Sequence, residues 1–263
     1  MIIDFAAKVD IGRRESNDDR VLVSHTILDQ SALSGSVTLP AAVVVCDGCG
    51  GYHGGGVAAQ TVLETIDTVP PESLADTAVL DDILSRAKEA VFSKKESFPQ
   101  YQAMCTTVAG CIFSDDRILI FHAGDSRVYR KDRWGLARMT MDHSTVQDLI
   151  DMGQITPEEA RVHPARNVIN RCIGIDCLPP EIYVSNTSVH PGEIFLLCSD
   201  GLWDVLEDRE IREILSASLS LEQMADLLVE QALKNGSDDN ISVCLCAARG
   251  ETAEAENKPF LLD

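Results

Sequence analysis

Five aspartate-bearing segments stand out because each acid falls where an apolar run stops or starts. Asp18-Asp19 lie between the first two runs. Asp47 ends AAVVVC and precedes Gly48, Asp125 ends ILIFHAG, and Asp200 ends EIFLLCS and precedes Gly201. Asp238-Asp239-Asn240 come just before ISVCLCA. An aspartate beside glycine at a strand end is a common turn residue, so each alone has a plain structural reading. Five together, each bordering an apolar strand, admit a chemical one. If neighbouring strands end on the same side, the acids converge on one cleft, where unpaired carboxylates repel each other. Divalent cations relieve that repulsion, and an all-oxygen ligand set selects hard ions, Mg²⁺ or Mn²⁺, over zinc.

The elements that must position these acids follow from hydrophobic period. Phe5, Ala7, Val9 and Ile11 alternate with polar residues, the pattern of a half-buried strand. A second strand is read at 20–27, then a small-residue loop, SALSGS, at 31–36. AAVVVC at 41–46 is a continuous run fit for a fully buried strand. A glycine-rich loop at 48–56 interrupts it. Two helical faces follow, one on Ala58, Thr61, Val62, Thr65 and Ile66, the other on Leu80, Ile83, Leu84, Ala87, Ala90 and Val91. Period two returns at 105–113, 118–123, 127–131 and 136–139. Residues 142–180 hold two short helical pieces and the breakers Gly153, Pro157, Pro164 and Gly174, as expected of an insertion over the core. Strands resume at 181–189 and 193–198. A helix with Leu221, Met224, Ala225, Leu228 and Ala232 and a last strand at 241–247 complete the domain, expected to span 1–249. Residues 250–263 read as a loosely held acidic tail. Strands in adjacent runs and helices in pairs favour an α+β fold of antiparallel sheets with helices packed outside, in layers.

The 263 residues are 45% hydrophobic and 24% charged, the balance of a globular chain able to bury a sizeable core. A net charge of −20 opposes binding to nucleic acid or to anionic membrane surfaces. The start, MIIDFAAKVD, lacks a basic segment before an apolar run, and no stretch approaches a membrane span, so a cytoplasmic protein is expected. The nine cysteines are odd in number and scattered, which suits reduced thiols.

In order, the segments RRESNDD (13–19), VVCDGCGG (44–51), CTT (105–107), HAGDSRVYR (122–130), MTMDHS (139–144), LLCSDGLWDVL (196–206) and SDDNISV (237–243) resemble the metal-dependent protein serine/threonine phosphatases of the PP2C type. The resemblance covers about residues 5–248 and is closest to the compact bacterial members. It implies a four-layer αββα sandwich, two packed, mainly antiparallel β-sheets flanked by pairs of antiparallel helices, with a flap over about 142–180. It implies hydrolysis of phosphoserine and phosphothreonine by in-line attack of a water bridging two metal ions, Mn²⁺ or Mg²⁺. In this resemblance Asp47 touches both core ions. Asp200 and Asp239 complete the first site. Asp18 and the carbonyl of Gly48 serve the second, and Asp125 with Asp200 binds a third. Asp19 holds metal-bound water, Asn240 orients Asp239, and Arg14 grips the substrate phosphate. Such chemistry suits a very slow reaction, since phosphate monoesters need up to ~10²¹-fold acceleration. The implied partners are phosphorylated proteins, namely a Ser/Thr kinase and its substrates, for a monomer that binds neither nucleic acid nor membrane.

Departures from the family pattern are local. Asp18 stands where the family often has Glu. Cys49 stands where animal relatives carry a histidine read as the general acid and bacterial ones usually carry Met, so no residue is assigned to leaving-group protonation. Cys105 replaces a usual Gly and His122 a usual Asn. Other chemistries fit less well. The glycines at 48–56 lack both the G-x-G-x-x-G spacing, because position 53 is His53, and a Walker Gly-Lys-Ser/Thr. Cys46-x-x-Cys49 has metal spacing but no second such pair beside it. His143 is expected to fix a turn. The rival of another class is a pseudophosphatase that binds phosphoproteins without turnover. Such chains typically lose metal acids, and here Asp18, Asp47, Asp125, Asp200 and Asp239 are all present.

Overall fold

A computed structural model of the chain describes residues 1–49 and 54–249. The tail at 250–263 and residues 50–53 of the glycine-rich loop lie outside the described residues. One six-stranded sheet has the order β11 (Leu136–Arg138), β10 (Arg127–Lys131), β13 (Ile194–Cys198), β14 (Ile241–Ala248), β1 (Ile2–Asp10), β4 (Ala32–Thr38). The other runs β12 (Glu181–Ser185), β9 (Ile118–Ala123), β8 (Val108–Phe113), β5 (Ala41–Cys46), β2 (Arg20–Val23), β3 (Thr26–Leu28). A small hairpin-like ladder joins β6 (Gly48–Cys49) to β7 (Cys105–Thr106). The pairings between these strands are antiparallel.

Alternation within the strands builds four layers. Ile3, Phe5, Ala7 and Val9 of β1, with Phe195 and Leu197 of β13 in the same sheet, face Val43 and Val45 of β5 and Cys111 and Phe113 of β8 across the space between the sheets. The alternate set on the second sheet, Leu22, Ala42, Val44 and Cys46, faces outward onto α1 (Gly55–Ile66), α2 (Pro71–Leu74) and α3 (Thr77–Ser97). On the first sheet, Ala6, Leu196, Val243 and Leu245 pack against α6 (Asp200–Trp203), α7 (Asp208–Leu215) and α8 (Leu221–Lys234). A strand such as β5 is covered on both faces, which is why AAVVVC is apolar without alternation. The result is the αββα sandwich. Between β11 and β12 the chain forms α4 (Thr145–Asp151) and α5 (Pro157–Arg161), the latter closed by a capping box of Thr156 and Glu159.

Of residues 31–36, expected as a loop, all but Ser31 lie instead in the edge strand β4, paired with β1 from Ile2↔Thr38 to Lys8↔Ala32. Only Leu33 and Val37 of β4 turn inward, half-buried against the core, with Gly35 between them, so the sequence alternates too weakly to mark a strand. The backbone groups of β1 impose the strand by offering a free ladder edge. Helices α6 and α7 also go beyond the sequence reading, which placed none there.

Candidate metal centre

The ends of β5, β9 and β13 and the start of β14 deliver Asp47, Asp125, Asp200 and Asp239 to one cleft, joined there by Asp18 and Asp19 from the segment between β1 and β2. Asp47 is fixed through its backbone. Its N–H donates to Thr107 Oγ1 at 3.0 Å, and its carbonyl accepts from Thr107 N–H at 2.8 Å and from Thr106 Oγ1 at 2.9 Å. Gly48 follows with no room for a side chain, because a Cβ would lie 2.2 Å from the carbonyl carbon of Gly55. Close approach of these two backbones seats the start of α1 against the strand end. Asp19 is buried, and its Oδ2 accepts from Ser199 Oγ at 2.7 Å. Ser199 Oγ in turn accepts from Ser242 N–H, so one hydroxyl ties the segments before β2, α6 and β14 together.

The cluster is electrostatically expensive. Burial, with the charges of Asp19, Asp200, Asp125 and Asp239, pushes the Asp47 carboxyl well above its usual range. Burial with Asp125, Asp239 and Asp19 does the same to Asp200. Asp125 is pushed up to about 7, by burial and then by Asp142. Asp19 is pushed up to about 6, chiefly by burial. Among the described residues, no three of these carboxylate oxygens lie within 4.8 Å of one another, the spread expected of like charges. Asp200 Oδ1 is buried without a hydrogen-bond partner. An orphaned carboxylate oxygen within an all-oxygen, multiply acidic cleft fits hard divalent cations.

Each residue singled out from sequence is at this cleft or its rim. Asp18 Oδ1 accepts from Gly56 N–H at 3.0 Å, at the start of α1. Asn240 spends its side chain on the neighbouring loop: Oδ1 accepts from Asp18 N–H at 2.9 Å, and Nδ2 donates to the carbonyls of Ile11 and Ser16. It meets Asp239 through its backbone N–H, which donates to Oδ1 at 2.8 Å. Arg14 is half-exposed and bridges to the last acid, with Nη2 on Asp239 Oδ2 at 2.7 Å and Nε on the Asp238 carbonyl at 2.9 Å.

Supporting groups lie inside the quoted segments, and of these only His143, expected to fix a turn, and His122 are named from the sequence. Arg127 and Asp142 form a buried bidentate pair at 2.9 and 2.6 Å, and the guanidinium also stacks over Trp203 at 3.5 Å. This pair sits beside Asp125 and couples to its charge. His143 Nδ1 accepts from Gly124 N–H at 3.2 Å, holding the turn before Asp125, and its ring stacks on His122 at 4.4 Å. Ser199 and Thr107 are the other two. Ser199 adjoins Asp200 in the sequence, but Thr107 lies 60 positions from Asp47, and neither position reveals its hydroxyl's partner.

Comparison with known proteins bears on the family and the fold. Residues 15–242 match the family model for protein phosphatase 2C. The serine/threonine protein phosphatase PstP of Mycobacterium tuberculosis is 32% identical over 248 residues, 92% of this chain and 44% of that protein. The chain thus spans less than half the length of that relative. The serine/threonine phosphatase stp of Listeria monocytogenes serovar 1/2a is 30% identical, over 88% of this chain and 94% of that one. The crystal structure of the M. tuberculosis phosphatase PstP/Ppp superposes with a TM-score of 0.82 at 30% identity, covering 95% of this chain and 100% of that one. The PstP catalytic domain in complex with two manganese ions gives 0.78 at 30% identity, over 94% and 99%. With a family match across most of its length, this αββα sandwich and its acidic cleft, the chain belongs to the protein phosphatase 2C family.

Proposed function

We propose that the chain hydrolyses phosphoserine and phosphothreonine in proteins, with Mn²⁺ or Mg²⁺ held by Asp18, Asp47, Asp125, Asp200, Asp239 and the carbonyl of Gly48. The observation that carries this reading is the convergence of strand-end aspartates on one cleft where Asp200 Oδ1 is buried and unpartnered. When bound, such ions lower the pKa of water towards neutrality and screen the charge of a phosphoryl group.

The chain's own residues supply the rest. Asp47, its backbone anchored by Thr106 and Thr107, presents its carboxylate among Asp19, Asp125, Asp200 and Asp239. Asp19 and Ser199 hold the floor. Arg14 stands at the rim with a planar fork suited to two phosphate oxygens, and in this state the fork is turned onto Asp239 and the Asp238 carbonyl. Engagement of substrate exchanges one anionic partner for another.

Retention of the five strand-end acids favours turnover over phosphoprotein binding alone. Phosphorylated proteins are the substrate class, a Ser/Thr kinase and its targets the expected partners, and a cytoplasmic monomer the expected state. Among the described residues no helix is long and apolar enough to cross a membrane. Residues 142–180, with α4 and α5, are read as the flap that selects protein substrates, in keeping with loops that carry specificity on a rigid scaffold.

The test is release of phosphate from phosphoserine and phosphothreonine peptides. Hydrolysis is expected with Mn²⁺ or Mg²⁺ and is expected to vanish in EDTA. Full activity in EDTA, or none with any divalent cation, overturns the reading.

A further inference from the structure

Three thiols that lie far apart in sequence meet beside the acidic cleft. Cys49 and Cys105 face each other across the β6–β7 ladder with their sulfurs 2.8 Å apart. Cys172 joins them from the segment after α5, and the three sulfurs lie within 4.8 Å of one another. Cys172 is buried, while Cys49 and Cys105 are half-buried. The third thiol is not a chance neighbour. Ile173 exchanges both backbone hydrogen bonds with Thr106 at 2.9 Å. Gly174 follows at φ +111°, and a Cβ there would lie 2.9 Å from the Met104 carbonyl and 3.1 Å from Cys105 Cα. The chain after Cys172 is therefore clamped onto β7. Lys95 Nζ donates to the Gly174 carbonyl and completes the clamp.

We propose that Cys49, Cys105 and Cys172 form a binding site for one soft, thiophilic cation of the Zn²⁺, Cd²⁺ or Cu⁺ class, separate from the carboxylate site. Thiolate sulfur selects these ions as carboxylate oxygen selects Mg²⁺ and Mn²⁺. The geometry is suitable. With metal–sulfur distances of about 2.3 Å, three ligands in a trigonal arrangement stand about 4 Å apart, within the 4.8 Å span of this trio, and the Cys49–Cys105 pair at 2.8 Å must open to reach it. Each thiol gives up its proton to solvent as the metal–sulfur bond forms. Cys177 points elsewhere, its Sγ directed at the carbonyls of Cys172 and Leu178. The other cluster of potential ligands among the described residues, His122, His143 and Glu181, suits an ion less well. Its imidazoles are stacked within 8° of parallel, so their in-plane lone pairs do not converge on one point.

The site would have a mechanical consequence. Cys49 directly follows Gly48, and Cys172 ends the stretch that contains α4 and α5. A cation bound by all three ties that stretch to the β6–β7 ladder beside the acidic cleft.

The experiment titrates Cd²⁺ into the reduced full chain with excess Mg²⁺ present to occupy the carboxylates. Thiolate-to-cadmium absorption is expected to rise and saturate near one equivalent. Cys172→Ser is expected to weaken binding at least tenfold, and Cys105→Ser with Cys172→Ser to abolish the band. Carboxylate-bound Cd²⁺ gives no such band, so the result is independent of whether the chain is a phosphatase. Alkylation of the wild type gives a measurement that no variant can spoil: Cd²⁺ is expected to shield Cys49, Cys105 and Cys172 together. Absence of the band, its persistence in the double variant, or failure to shield any one of the three overturns the proposal.

Discussion

Removing divalent cations should make this protein less stable as the pH rises from acid to neutral, the reverse of ordinary carboxylate behaviour. Asp19 and Asp125 are almost fully buried, at 1% and 5% exposure, and carry folded-state values of about 6 and 7. Both lie above an ordinary aspartate's 3.8. The stability they carry is therefore complete below about pH 4 and is lost as pH rises through 6 and 7. Between pH 5.5 and 7.5 the loss comes to about 2 kcal/mol for Asp125 and about 1 kcal/mol for Asp19. Asp47 and Asp200 are shifted in the same direction and add to it. At about 2–4 °C per kcal/mol for a domain of this size, the melting temperature in EDTA should fall by roughly 6–12 °C across that interval. Saturating Mn²⁺ should remove the fall, because the ion binds the ionised carboxylates and only in the folded chain.

The assay is thermal unfolding by circular dichroism at pH 5.5, 6.5 and 7.5, in EDTA and in Mn²⁺. Asp125→Asn keeps the side chain's shape without its titration and should take away about two thirds of the pH dependence assigned to this pair. A melting temperature in EDTA that stays level or rises from pH 5.5 to 7.5 would refute the argument. So would an Asp125→Asn variant with the wild-type slope.

Three further outcomes follow from the same geometry. Asp47→Ala or Asp239→Ala should lower kcat by several orders of magnitude. Asp125→Ala should keep two bound ions per chain by elemental analysis, and the assignment fails if Asp125→Ala loses them while Asp239→Ala keeps them. Arg14→Ala removes a charge-assisted contact of about 1.5–3 kcal/mol, so KM for a phosphopeptide should rise roughly ten- to a hundredfold with metal content unchanged. An unaltered KM would mean that Arg14 serves only Asp239 and solvent. Trimming 150–168, which removes α5, should change KM for phosphoproteins while sparing p-nitrophenyl phosphate. Equal loss on both substrates would make the segment a support of the fold.

What can be read directly from the chain is set by the range of the interaction that fixes each feature. Strand β5 and helix α3 are visible because burial on defined faces imposes a local period. The acids are visible because each interrupts such a run, so the same pattern that marks a strand also marks its end. Strand β4 is not visible, since only Leu33 and Val37 turn inward and the small residues between them are held by the ladder of β1. The supports of the cleft fail for a related reason. Ser199 matters only because Asp19, from the other sheet's side of the cleft, accepts its hydroxyl from 180 positions away in sequence. The thiol cluster is the limiting case. Cys46-x-x-Cys49 offers a local metal-like spacing, yet Cys46 is buried under α1 and Cys49 turns to partners 56 and 123 positions along the chain. The break at Asp47 explains the choice, because Cys46 ends β5 in the large sheet while Cys49 belongs to β6 in the separate two-stranded ladder. A two-residue strand such as β7 carries no period of its own, so the partner of Cys49 is settled by register alone.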